Sequence, residues 1–175
     1  MNDNEVWSAI DGQRIAIAGI LDDLSELEWR HPSLCEGWTA RDVAAHLTLQ
    51  EVGLGALVRQ TPSLIMARGN INRAIQNAAC RRAERSTEAL VADIRGMVGS
   101  RRHNVGVTCL ETLTDILVHS QDLVIPLGRR LDMPPHAAAA AATRMWARGW
   151  PFYPRSLRGY RLTATDVSWI RIPPR

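Results

Sequence analysis

Residues 108–125, TCLETLTDILVHSQDLVI, decide the fold. Thr108 and Glu111 have capping-box spacing, in which hydroxyl and carboxylate each satisfy a free backbone N–H at a helix start. Leu110, Leu113, Ile116, Leu117 and Val124 then recur at the three- and four-residue spacing of one helical face. Pro126 and Gly128 end the pattern. The other side carries Glu111, Asp115, His119 and Asp122, with Asp115 and His119 at i and i+4 and therefore on one face. The stripe has two readings at this point. It is either the solvated face of the helix or a polar cluster turned into a bundle.

The rest of the chain reads as further helices. Thr39 and Asp42 form the Asp variant of a capping box, opening a helix expected from Ala40 to about Arg59. Arg41, Ala44, Thr48, Glu51, Gly55 and Arg59 fall together on its expected solvent face. His46 lies opposite, among Val43, Leu49, Gly53 and Leu57, so it faces the core; periodicity alone reads it as a satisfied core histidine. A first helix is expected over about Glu5–Leu24, with Trp7, Ile10, Ile15, Ala18, Ile20 and Leu21 as apolar positions. Glu26 to Trp38, with Pro32 and Gly37, reads as a loop. A helical stretch runs from about Asn72 to Val98, interrupted near Ser86. Pro134-Pro135 open a last helix through the alanine run to Arg148. Residues 160–172, YRLTATDVSWIRI, read as one strand or a small hairpin. Together these predict an all-α protein, an antiparallel four-helix bundle with a short C-terminal β segment, in a single domain spanning 1–175.

Composition narrows the function. The chain has 175 residues, 21 Arg, no Lys and a net charge of +3. The basic spots, Arg81-Arg82 with Arg85, Arg101-Arg102 and Arg129-Arg130, come without any nucleic-acid-binding motif, so nucleic acid is not an expected partner. The longest apolar run, the alanines at 137–142, is far short of the ~20 residues of a membrane helix. The N-terminus lacks the basic and apolar regions of a signal peptide, so a cytoplasmic protein without membrane contact is expected. Without Lys there is no Schiff-base chemistry and no lysine base. Cys35, Cys80 and Cys109 are too few and too scattered for a disulfide framework or a CxxC metal site. Each reads as a small buried or half-buried residue.

Two stretches carry a family resemblance. Residues 34–47, LCEGWTARDVAAHL, resemble the first motif of the mycothiol-dependent maleylpyruvate isomerase-like proteins of the DinB superfamily. Residues 115–122, DILVHSQD, followed by Pro126-Leu127-Gly128, resemble their second motif. Residues 161–169, RLTATDVSW, are similar to the strand segment that follows the bundle there. The resemblance implies a four-helix bundle that holds a divalent metal, zinc or nickel, near one end. The matching ligand positions are His46, Asp115 and His119, with Asp122 in support of His119. The acidic ligand is often Glu in that superfamily; Asp115 is one methylene shorter. An arginine-only, alanine-rich chain also agrees with the GC-rich actinobacteria in which such proteins are mainly found.

The resemblance further implies mycothiol as thiol cosubstrate and a small electrophile as the other partner. The expected function is a metal- and thiol-dependent S-transferase or isomerase. The alternative is a DinB-like metal- or small-molecule-binding protein without turnover, acting in stress or detoxification. Relatives often carry a C-terminal domain that handles substrate, whereas this chain ends at Arg175. The expectation is therefore a stand-alone transferase, or a bundle without turnover, rather than maleylpyruvate isomerisation itself. An unpaired terminal strand with exposed Trp169, Ile170 and Ile172 would offer its edge to a second copy and give a homodimer.

Overall fold

The computed structural model describes residues 1–51, 71–148 and 159–171. Helix α1 (Asp3–Asp22) opens on Asn2, whose side chain accepts from the Glu5 N–H while Glu5 accepts from the Asn2 N–H. Ser25 and Glu28 repeat this box at α2 (Glu26–Trp29). The segment expected to be all loop thus begins with one helical turn, pinned by the buried Trp29.

Helix α3 (Ala40–Leu47) opens on the expected Thr39–Asp42 box. It is shorter than expected. Thr48 turns its hydroxyl onto the Ala45 carbonyl at 2.7 Å and receives Arg82 Nε at 2.9 Å, and the Leu49 N–H bonds the His46 carbonyl at 2.8 Å. These bonds close the last turn at Leu47. The remainder of the expected helix, from residue 52 to Arg59, lies outside the described residues. Its expected solvent face is not one. Ala44 and Thr48 are buried, and Arg41 donates to the carbonyls of Ala83 at 2.7 Å and Arg85 at 2.5 Å. The cause is an arm of two helices, α4 (Ile71–Arg82) and α5 (Thr87–Gly96), which packs on that side. The arm breaks where expected, with the Ser86 hydroxyl accepting from the Ala89 N–H.

Helix α6 (Cys109–Val124) has the expected boundaries and cap. It shares one core with α1, α3 and α5, built from Ile10, Ile17, Leu21, Val43, Leu47, Leu90, Ile94, Leu113, Ile116 and Leu117. On α1 the phase differs from expectation: Ile15 is 59% exposed, whereas Arg14 is fully buried. Helix α7 (Pro135–Arg148) packs on α6 and buries Ala137 and Ala141. Strands β1 (Leu162–Thr163) and β2 (Ile170–Arg171) form an antiparallel hairpin, Leu162 opposite Arg171. The terminal strand is therefore paired within the chain, and Trp169 is half-buried, its Nε1 donating to Thr143 Oγ1 on α7 at 2.9 Å. Ile172 lies outside the described residues. No described helix is long and apolar enough to cross a membrane.

Glu111 joins α6 to α7, so it does not belong to a solvated face. Its Oε2 accepts from the Thr108 N–H at 2.8 Å and hydroxyl at 2.6 Å, and its Oε1 from Arg144 Nε and Arg148 Nη2, both at 2.6 Å. Burial opposes its charge, but these donors win and hold its pKa at about 2, against an ordinary 4.5. A depressed folded-state pKa stabilises the fold above the ordinary value and is lost as pH falls through the folded one. Wild-type stability is therefore expected to fall between about pH 4.5 and 2. Glu111→Gln should cost about 2 kcal/mol at pH 7, the scale of charge-assisted hydrogen bonds, and lack that acid-sensitive contribution. Urea unfolding of both proteins across pH checks this; equal stability at pH 7 would refute the clamp.

Candidate functional site

Three pieces of chain meet at the site: α3, α6 and the loop between α2 and α3. The loop is a tight turn. The Ser33 N–H and hydroxyl both donate to the Trp38 carbonyl at 2.9 Å, and the Trp38 N–H donates to the Cys35 carbonyl at 3.0 Å. Gly37 takes φ +75°, a left-handed conformation that other residues adopt only with strain. The Leu34 N–H then bonds the Asp122 carbonyl at 3.0 Å, which ties the loop to the C-terminal end of α6.

The structure brings the three ligand-type residues together. His46 Nε2 lies 3.1 Å from Asp115 Oδ1, and His119 Nε2 lies 3.6 Å from the same oxygen. The two imidazoles meet edge-on, with centroids 4.7 Å apart. One donor atom from each residue falls within 4.8 Å of the others. The side chains are 15%, 30% and 25% exposed for His46, Asp115 and His119, so the cluster is partly buried yet reachable from solvent. His46 is thus neither sealed in the core nor solvated. Trp38 covers both imidazoles, its ring centroid 5.3 Å from His46 and 6.3 Å from His119.

Further residues orient these three. Asp122 Oδ2 lies 3.0 Å from His119 Nδ1. Gln50 Nε2 donates to Asp115 Oδ2 at 2.8 Å. Gln50 in turn accepts from Arg14 Nη2 at 3.4 Å, while Arg14 Nη1 donates to the Met97 carbonyl at 2.6 Å. Arg14 is fully buried, with Glu51 and Asp11 at longer range, 3.5 and 3.7 Å. Burial lowers its pKa, and the two carboxylates oppose that shift. For Asp115 burial works against ionisation, but the His46 hydrogen bond, the two histidines' charge and the Gln50 bond outweigh it and hold its pKa below the ordinary value.

Cys35, Gln50 and Arg14 carry no role in the sequence reading. A signal existed for two of them. Gln50 is one turn beyond His46, and Arg14 falls in phase with Ile10, Ile17 and Leu21. The Cys35 thiol donates to Asp122 Oδ2 at 3.2 Å. Burial, followed by the Asp122 carboxylate, pushes its pKa up to about 12. It is a neutral thiol at neutral pH.

Two imidazole nitrogens and a carboxylate oxygen suit a borderline divalent ion such as zinc or nickel, and three protein ligands leave coordination positions open. The donor set therefore fits a metal. The 3.0 Å approach of the Asp122 carboxylate to His119 Nδ1 favours the Nδ1–H tautomer, in which the Nε2 lone pair faces Asp115 and His46. Nitrogen-15 imidazole NMR of the metal-free protein should show His119 in the Nδ1–H form, and Asp122→Ala should return it toward the Nε2–H form. An Nε2–H ring in wild type would overturn this assignment.

No curated protein and no solved structure matches the sequence. The family model for the mycothiol maleylpyruvate isomerase N-terminal domain matches residues 11–108. That stretch contains Cys35, Trp38, His46 and Gln50 and ends immediately before α6, so Asp115, His119 and Asp122 enter the site through the fold rather than the match. With more than half of its length matched and a helical bundle around the site, the chain belongs to the mycothiol maleylpyruvate isomerase N-terminal domain family of the DinB-like superfamily.

Proposed function

We propose that His46, Asp115 and His119 hold a divalent metal at which a low-molecular-weight thiol such as mycothiol is activated to attack a small electrophile, in an S-transfer or thiol-assisted isomerisation. The observation that carries this reading is the convergence of two imidazole nitrogens and a carboxylate oxygen within 4.8 Å on partly exposed side chains. When bound, such a metal supplies Lewis acidity that makes a coordinating thiol ionise at neutral pH.

The chain's own residues supply the rest. Asp122 holds the His119 proton on Nδ1. Gln50 occupies Asp115 Oδ2 and so leaves Oδ1 turned toward the two histidines. The Trp38 ring walls the two imidazoles and excludes water from that side. With no ion on its sulfur, Cys35 is a neutral thiol that donates to Asp122. A thiol held here would give its proton to solvent and form a sulfur–carbon bond, while the electrophile's carbon–carbon π pair shifts onto its activating group or a leaving group such as chloride departs with its bonding pair.

Metal analysis of the purified protein is expected to find close to one divalent ion per chain, with affinity reduced at least tenfold in His46→Ala and His119→Ala. Equal metal content in wild type and variants would refute the site. Turnover of a chloro-nitroaromatic or of maleylpyruvate with added mycothiol then separates an enzyme from its alternative. Metal-loaded protein inert toward a broad electrophile panel would be a binding protein without turnover.

A further inference from the structure

His119 faces ligand-type atoms with both of its ring nitrogens. Nε2 is turned to Asp115 and His46. Nδ1 is turned to a different pair: Asp122 Oδ2 at 3.0 Å and Cys35 Sγ at 3.5 Å, which are themselves 3.2 Å apart. Bonds of about 2.3 Å to sulfur and about 2.0–2.2 Å to nitrogen and oxygen, at tetrahedral angles, separate ligand atoms by about 3.3–3.7 Å. The Cys35–His119–Asp122 triangle is within a few tenths of an ångström of one face of such a site. All three side chains are partly exposed, so an ion can reach them. Backbone bonds place the donors in advance. The Cys35 N–H donates to Ser33 Oγ at 3.1 Å, and the neighbouring Leu34 N–H is tied to Asp122.

We propose that Cys35 Sγ, His119 Nδ1 and Asp122 form a second cation position, selective for a thiophilic ion, which competes with the His46–Asp115–His119 position for the shared imidazole. The sulfur sets the selectivity, since thiolates favour soft ions such as cadmium or copper(I) over nickel. Ligation releases the Cys35 proton to solvent. The competition follows from the ring itself. A neutral imidazole has one lone pair and one proton. An ion on Nδ1 sends the proton to Nε2, where Asp115 Oδ1 is the nearest acceptor; an ion on Nε2 leaves it on Nδ1 for Asp122. The thiophilic position stands on its own donors, whereas the competition rests on the metal reading of the preceding subsection.

Cadmium titration of the reduced protein, followed by the ultraviolet thiolate-to-cadmium charge-transfer band, tests both parts. The band is expected in wild type and in His46→Ala, and lost in Cys35→Ser, where Cys80 and Cys109 remain. Ser retains a hydroxyl for Asp122, and circular dichroism reports whether the fold is kept. No band in wild type or His46→Ala, or a band that survives in Cys35→Ser, would overturn the position. Cadmium added to nickel-loaded wild type should release nickel one for one. A full band with nickel retained would overturn the competition. Failure of both zinc and nickel to bind outside Cys35, with the cadmium band intact, would sink the His46–Asp115–His119 reading and leave the thiophilic position standing.

Discussion

The hydrogen bond between the His46 imidazole and the Asp115 carboxylate, 3.1 Å long, crosses from α3 to α6 at the edge of a largely apolar core. A carboxylate in such a setting needs donors, or it takes up a proton. The surrounding polar residues meet that need. Gln50 donates to the second oxygen of Asp115, and its own carbonyl is met by Arg14 from α1. One polar layer therefore runs α1–α3–α6, with apolar side chains on the same helices filling the core. Breaking one member of such a layer leaves its neighbour buried and unpaired, which costs more than the lost bond alone.

Much of the fold is legible because its signals are local. The boxes at Thr39 and Thr108 report helix starts, and Ser86 reports the break in the α4–α5 arm. The same signal at Ser25–Glu28 goes unread when Pro32 and Gly37 dominate the segment. What periodicity cannot report is which side of a helix the rest of the chain will cover. Ala44 and Thr48 share a side with charged Arg41, yet the α4–α5 arm lies over them, and Arg41 spends its donors on that arm's carbonyls. The end of α3 is likewise a tertiary event, since it depends on Arg82 reaching Thr48 from another helix.

The site divides in the same way. Spacing places Asp115 and His119 on one face, and the resemblance adds His46. The loop's contribution depends on backbone geometry that no side-chain pattern records. Gly37 must be left-handed for the turn to close, and Leu34 must reach the last turn of α6, before Cys35 and Trp38 meet the histidines. Arg14 is hidden for the opposite reason. A charged residue in an apolar phase is normally discounted, and only burial shows that it belongs there.

The arginine-only composition has a structural use. Arg41 reaches two carbonyls of one turn at once, and Arg82 and Arg85 converge on the single carboxylate of Asp93. A planar guanidinium holds its donors in a fixed fork, whereas an ammonium is one compact, strongly hydrated charge. Arg14 shows what the difference means for the site. Its two terminal nitrogens divide between the Met97 carbonyl and Gln50, and it keeps its charge in spite of complete burial. A lysine buried there would be pushed toward its neutral amine. Gln50 would then lose a charged donor, and with it the bond that orients its amide toward Asp115. The geometry of the Asp115 carboxylate thus depends on a guanidinium two hydrogen bonds away from it.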